Sequence, residues 1–299
     1  MSTLQGIVAY PITPFTHDDH IDTQLLTRIV DGMLDAGVHA LAPLGSTGVL
    51  PYLRDEEREQ VTELVVKRAA GRVPTLVGVS SLTTERTIHH ARFAERAGAS
   101  AVMILPMSYW KLTDAELVAH FDAVARAIGI PIALYNNPAT GGLDLSPETI
   151  ARVLRIPNVT MVKESTGDVN RMHRLVQLCG HDVAFYNGSN PLALAAFVAG
   201  ARGWCTAAPH VIPALNLELY EAVKRGDLAA AKHSFYRQLP FLQFIVAHGL
   251  PRTISAALQL IGTEVGPLRG PLQPLPGEQV AALRRILSEL RVPLAQNVA

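Results

Sequence analysis

The chain has 299 residues, about twice a typical domain length but within reach of a single barrel. Hydrophobic residues make up 48% and charged residues 17%, which excludes an intrinsically disordered chain. Lys plus Arg and Asp plus Glu balance at 26 each, which argues against nucleic acid, an anionic membrane or another strongly charged macromolecule as the main partner.

Short β-branched or apolar runs alternate with longer helical patterns along the chain. The first strand candidate is Gly6–Ile12, GIVAYPI. A helical pattern follows, with Asp22 as N-cap, Leu25, Leu26, Ile29, Val30, Met33 and Leu34 along one face, and Gly37 as the stop. Further strand candidates are Ala40–Gly45, Thr75–Val79 and Ala101–Pro106. Thr113 and Glu116 form a capping box at the start of the next helix. After the strand candidate Pro131–Asn136, Ser146 and Pro147 mark another helix start. Val159–Ser165 reads as a strand, and a helix then runs from a cap at Asp168 to a stop at Gly180. Val183–Gly188 and Gly203–Ala208 complete a set of eight strands. From about Asp227 the pattern changes to helices without strands, clearest at 228–249 and 277–290.

Strand–helix alternation predicts parallel pairing, because parallel neighbours need a crossover. Eight units over this length favour a closed (β/α)8 TIM barrel over an open doubly wound sheet, and no GxGxxG follows the first strand. The expected organisation is α/β: a barrel over residues 1–225 and a small C-terminal helical extension over residues 226–299. Cys179 and Cys205 cannot form a disulfide framework and fit a reducing compartment. The N-terminal stretch lacks the pattern of a signal peptide, and no apolar run reaches membrane-spanning length, so the expected location is cytoplasmic.

Three strand ends carry candidate chemistry, at the face where barrels of this type place their sites. In VTMVKES, Lys163 stands in the middle of an apolar run. An unpaired lysine there is expected to have its pKa lowered by desolvation, and a neutral amine can attack a ketone to form a Schiff base. The alternatives are an ion pair with a core carboxylate such as Glu164, or a side chain snorkelling out at the strand end. Strand alternation sends Lys163 and Glu164 to opposite faces, which weakens the first alternative. Gly45–Gly48, GSTG, offers backbone N–H groups and two hydroxyls to a small carboxylate, or is an ordinary βα turn. Tyr135 ends a hydrophobic strand and is either a proton relay or a core aromatic with its hydroxyl at the rim. There is no HExxH and no convincing metal cluster, so no metal is expected.

GSTG after the second strand, YNNP after the fifth and VKES on the sixth, with PITPF near the start, resemble the dihydrodipicolinate synthase/N-acetylneuraminate lyase family. The similarity runs from about Gly6 through the final helices. The resemblance implies a class I Schiff-base lyase acting on pyruvate or a related 2-oxo acid, built as a tetramer of two tight dimers. It implies that Lys163 forms the imine, that Tyr135 shuttles protons, and that Ser46 and Thr47 hold the keto-acid carboxylate and help the relay. A tyrosine after the fourth strand is lent to the neighbouring subunit in many members, and Tyr109 is its candidate here. The residues expected to line the substrate site are Ser46, Thr47, Gly48, Thr140, Gly188, Ser189 and Cys205.

Departures from the family pattern bear on the substrate. Val49 stands where a glutamate is usual, and Thr140 where true synthases carry an arginine for the aldehyde's carboxylate. After the seventh strand Ser189 and Asn190 replace the acidic residues of sialic acid lyases, and Pro51, Asp55 and Arg58 match a lysine-feedback site poorly. The expected activity is therefore aldol cleavage, aldol addition or dehydration of a 2-keto-3-deoxy sugar acid-like substrate, with no organic cofactor beyond the covalent imine. The first alternative is a 4-hydroxy-tetrahydrodipicolinate synthase condensing pyruvate with aspartate semialdehyde. The second is a non-catalytic 2-oxo-acid-binding relative.

Overall fold

The computed structural model describes residues 4–295. Eight strands form one parallel sheet: β1 (Gly6–Ala9), β2 (Ala40–Leu41), β3 (Leu76–Gly78), β4 (Ala101–Ile104), β5 (Ile132–Asn136), β6 (Val159–Glu164), β7 (Ala184–Asn187) and β8 (Gly203–Thr206). Their order is β2-β1-β8-β7-β6-β5-β4-β3. The ends meet through a parallel bridge between Leu41 and Thr75 and through Gly78 N–H donating to Pro43 O at 3.0 Å. The sheet is therefore a barrel, as the alternation of elements predicts.

Helices α1 (Thr23–Asp35), α2 (Asp55–Ala69), α3 (Thr84–Arg96), α4 (Asp114–Ala125), a short α5 (Pro138–Gly141), α6 (Pro147–Val153), α7 (Val169–Cys179), α8 (Ala193–Val198) and α9 (Pro213–Lys224) follow the strands. Then come α10 (Leu228–His248), α11 (Leu250–Leu260) and α12 (Gly277–Glu289). The helix signals act as expected. Asp22 accepts from Leu25 N–H, Thr113 and Glu116 form the capping box, and Ser146 and Asp168 cap α6 and α7. Helix α11 lies outside the two segments that the periodicity picked out most clearly. It begins directly after Gly249, whose φ of 89° breaks α10, and seven of its eleven residues are buried.

Two apolar layers follow from the two faces of each strand. Ile7, Leu41, Val77, Val102, Ile132, Leu134 and Val162 point outward into the layer shared with the helices. The C-terminal helices join that same layer through Leu242, Ile245, Ile254, Leu258 and Leu283. The lumen is lined by Val8, Tyr10, Met103, Tyr135, Met161, Tyr186 and Cys205, with Ala40, Ala42, Ala101, Ala133 and Ala184 between them. The alanines leave room for three tyrosines and one lysine inside the barrel. Among the described residues, no helix is long and apolar enough to cross a membrane.

Candidate active site

Lys163 lies one residue before the end of β6, paired with Tyr135 on β5 and Tyr186 on β7. It is 5% exposed. Its neighbour Glu164 turns the other way. Its carboxylate accepts from Asn136 Nδ2 at 3.1 Å and Thr166 N–H at 2.8 Å, and lies 3.4 Å from Arg171 Nε. Arg171 also pairs with Asp144 and donates to the Leu145 carbonyl, which braces the loop after β5. Lys163 is left with no ion pair among the described residues. Its Nζ lies 3.8 Å from the ring centroid of Tyr135 and 4.0 Å from that of Tyr10.

The Tyr135 hydroxyl accepts from Asn137 Nδ2 at 2.7 Å. Burial raises the pKa of this phenol. The neighbouring Lys163 charge, the Asn137 hydrogen bond and the facing Ser46 and Ser165 hydroxyls act against burial, and the net result lies below the ordinary phenol value. Ser165 Oγ is buried and makes no regular hydrogen bond, so it remains available to a group bound beside the phenol. The turn after β7 passes directly over these atoms. A Cβ on Gly188 would lie 1.7 Å from Ser165 Oγ and 2.7 Å from Lys163 Cε, so any side chain there would displace the serine, the lysine or the turn itself.

The GSTG turn after β2 is held by Thr13 Oγ1 donating to Gly48 O at 2.9 Å and by Val49 N–H donating to Ser46 O at 3.3 Å. The backbone N–H groups of Thr47 and Gly48 have no partner among the described residues. Two free donors, in the turn whose Ser46 hydroxyl faces Tyr135, can hold a carboxylate, as that turn suggests from its sequence. The buried amine, the tuned phenol and this donor pair together can bind and activate a small 2-oxo acid.

A family model, the dihydrodipicolinate synthetase family, matches residues 3–290. The chain belongs to that family. It is 35% identical over 274 residues to a 4-hydroxy-tetrahydrodipicolinate synthase of Methylobacterium radiotolerans, covering 92% of this chain and 91% of that one. It is 33% identical to the synthase of Bacillus subtilis, covering 93% and 97%. A Pseudomonas aeruginosa structure, provisionally described as a dihydrodipicolinate synthetase, shares 55% identity with a TM-score of 0.95, covering 97% and 100%. YagE of E. coli K12, a prophage protein of the same family solved in complex with pyruvate, shares 26% identity with a TM-score of 0.91, covering 97% and 100%. Members of the dihydrodipicolinate synthetase family are lyases, and this one is an enzyme of that class.

In this family member the predicted site residues divide into two groups. Lys163, Tyr135, Ser46 and Gly188 converge at the lumen end, with Thr47 and Gly48 in the same turn as Ser46. Within that group, Ser46 rather than Thr47 faces the phenol, and Thr47 is buried in the turn. Cys205 lies in the lumen wall against Tyr10, and its thiol pKa is raised by burial, with Lys163 and Tyr10 acting in the opposite direction. Three further candidates have other surroundings. Tyr109 is 90% exposed and stacks edge-on with exposed Trp110, so within one chain it is not part of the cluster. Thr140 is exposed on α5, and its hydroxyl accepts from Asn137 Nδ2 at 3.0 Å. Asn190 is buried, and its Oδ1 accepts from Trp204 Nε1 at 3.1 Å, so its amide oxygen is committed to the fold. Sequence reasoning missed Ser165, Asn137 and Tyr10. Ser165 is two residues beyond Lys163 and Tyr10 two beyond Val8, so period-two alternation placed both on the lumen face.

Proposed function

We propose that the protein forms a Schiff base between Lys163 and pyruvate or a related 2-oxo acid, then makes or breaks a bond at the adjacent carbon. The observation that carries this reading is the Lys163 amine, buried in the lumen without an ion pair and 3.8 Å from the Tyr135 ring. The free amine adds to the ketone carbon, and a proton passes from nitrogen to the ketone oxygen through Tyr135. That hydroxyl leaves as water after taking the Tyr135 proton, which leaves a positively charged iminium beside a phenolate. The phenolate then removes a proton from the neighbouring carbon to give a neutral enamine, which adds to an aldehyde; cleavage is the reverse. The iminium is itself the electron sink, so the reading needs no organic cofactor.

Among the finer readings, the relatives' names favour a 4-hydroxy-tetrahydrodipicolinate synthase, which condenses pyruvate with aspartate semialdehyde. One observation favours a 2-keto-3-deoxy sugar acid as substrate. Thr140 presents a hydroxyl where the family resemblance leads us to look for an arginine. A homotetramer in which exposed Tyr109 and Trp110 meet a second subunit also fits the family resemblance.

Incubation with pyruvate and borohydride, followed by mass analysis, is expected to give one adduct on Lys163 and none in Lys163→Ala. Labelling of Lys163→Ala would overturn the assignment. Aspartate semialdehyde is then compared with 2-keto-3-deoxy sugar acids. Faster turnover of the semialdehyde supports the synthase, and faster turnover of a sugar acid supports the second reading.

A further inference from the structure

The reaction proposed above places a positive charge in an apolar lumen with no side-chain carboxylate beside it. Burying a charge is costly; the Tyr135 phenolate and the substrate's own carboxylate offset part of that cost once substrate is bound, and before then the ammonium has only what the lumen walls offer. The carboxylate nearest in the chain, Glu164, faces away and is bound to Asn136, Thr166 and Arg171. What surrounds the nitrogen is aromatic. Tyr135 offers its ring face from β5 and Tyr10 from the residue after β1, on the opposite side of the barrel.

We propose that Tyr10 is an electrostatic platform that holds the positive charge on the Lys163 nitrogen, as ammonium before the reaction and as iminium during it. The inference rests on the Schiff-base reading and adds to it a residue that the family resemblance does not assign.

Three features fix Tyr10 for this task. The ring is 2% exposed, so its face meets the nitrogen without intervening bulk water, where a cation–π contact is strongest. Its hydroxyl donates to Met103 Sδ at 3.2 Å, a neutral acceptor on β4, which turns the ring face toward the lumen axis. Gly45 makes the space. A Cβ there would lie 2.5 Å from Tyr10 Cδ1, so the turn carrying Ser46 and Thr47 can close over the ring only as glycine.

The two tyrosines beside the lysine are set for different work by their surroundings. Burial first, then the Cys205 thiol and the other lumen tyrosines, hold the Tyr10 phenol well above its ordinary value, so it keeps its proton. Tyr135 is shifted the other way and can release one. One phenol relays protons; the other offers a neutral ring face.

Imine formation from the ammonium and a ketone conserves charge, so the platform stabilises the start and the iminium alike. The neutral imine and the enamine gain nothing from it. Removing the ring therefore shifts the bound imine toward its uncharged form, which is a poorer electron sink. The covalent adduct still forms, but the step at the neighbouring carbon slows.

The test measures deuterium exchange at the methyl group of pyruvate, alongside borohydride trapping on Lys163. Tyr10→Phe keeps the ring but loses the hydroxyl contact to Met103 Sδ, and is expected to exchange within a few-fold of the wild-type rate. Tyr10→Leu is expected to exchange roughly tenfold more slowly or worse while still forming the Lys163 adduct. A series replacing Tyr10 by phenylalanine carrying one, two and three ring fluorines weakens the π face with little change of shape, which guards against a misfolded leucine variant. Exchange should fall stepwise along that series. A flat series, or wild-type exchange in Tyr10→Leu, overturns the platform and leaves the Schiff base standing. Absence of an adduct in the wild-type protein overturns the Schiff-base reading itself.

Discussion

Lys163 and Glu164 are adjacent in the chain and sit in opposite environments. The lysine lies among tyrosine rings inside the barrel, and the glutamate is bound by Asn136, Thr166 and Arg171 outside it. One strand does this, because successive side chains of a β-strand leave by opposite faces. A Glu164→Gln variant should therefore keep its Lys163 adduct and lose about 1–3 kcal/mol of stability from the weakened brace. Denaturant unfolding and borohydride trapping measure the two effects separately. Loss of the adduct at unchanged stability would show that Glu164 acts on the lysine directly.

Tyr135 is the proton carrier in the proposed sequence, and the Lys163 charge and Asn137 hold its phenol below the ordinary value against burial. Tyr135→Phe keeps the ring beside Lys163 and removes the relay. Turnover should fall by roughly 10²–10⁴-fold with little change in thermal stability. Steady-state rates with pyruvate and the better co-substrate provide the measure, and a variant within a few-fold of wild type would remove Tyr135 from the mechanism.

Gly188 tests how closely the turn after β7 must approach the site. The added methyl of Gly188→Ala would meet Ser165 Oγ at 1.7 Å and Lys163 Cε at 2.7 Å. The lysine must move, and roughly a hundredfold loss of rate is the expected result, with about 1–3 kcal/mol of destabilisation. Trapping kinetics should slow in parallel. Unchanged trapping would mean that the turn yields instead of the lysine.

His210 makes stability depend on pH. Its Nε2 accepts from Ile12 N–H at 3.1 Å, and its Nδ1 meets Ala207 O at 2.7 Å. Burial lowers its pKa to about 4 from 6.5. The unfolded chain therefore binds more protons than the fold between those values. The contribution is complete above pH 6.5 and is lost as pH falls toward 4. The shift corresponds to at most about 3 kcal/mol, and to less because the ring is partly exposed. Thermal unfolding of the wild type at pH 7.5 and 4.5 should differ by more than that of His210→Gln. Equal differences would assign the acid sensitivity elsewhere.

The eight strand positions, the caps at Asp22, Thr113, Ser146 and Asp168, and the motif residues Lys163, Tyr135 and GSTG were all legible in the chain. Each depends on local spacing: alternation in strands, a side chain reaching a backbone N–H three residues on, or a polar residue inside an apolar run. The structure alone showed that Ser46 faces the phenol, that Asn190 is committed to Trp204, that Thr140 and Tyr109 lie on the surface, and that Tyr10 crosses the lumen to Lys163. These are contacts between elements far apart in sequence. Barrel closure brings β1 opposite β5, lays the turn after β7 over Lys163 and the turn after β2 over Tyr10, and no pattern within a single segment encodes which of their side chains will meet.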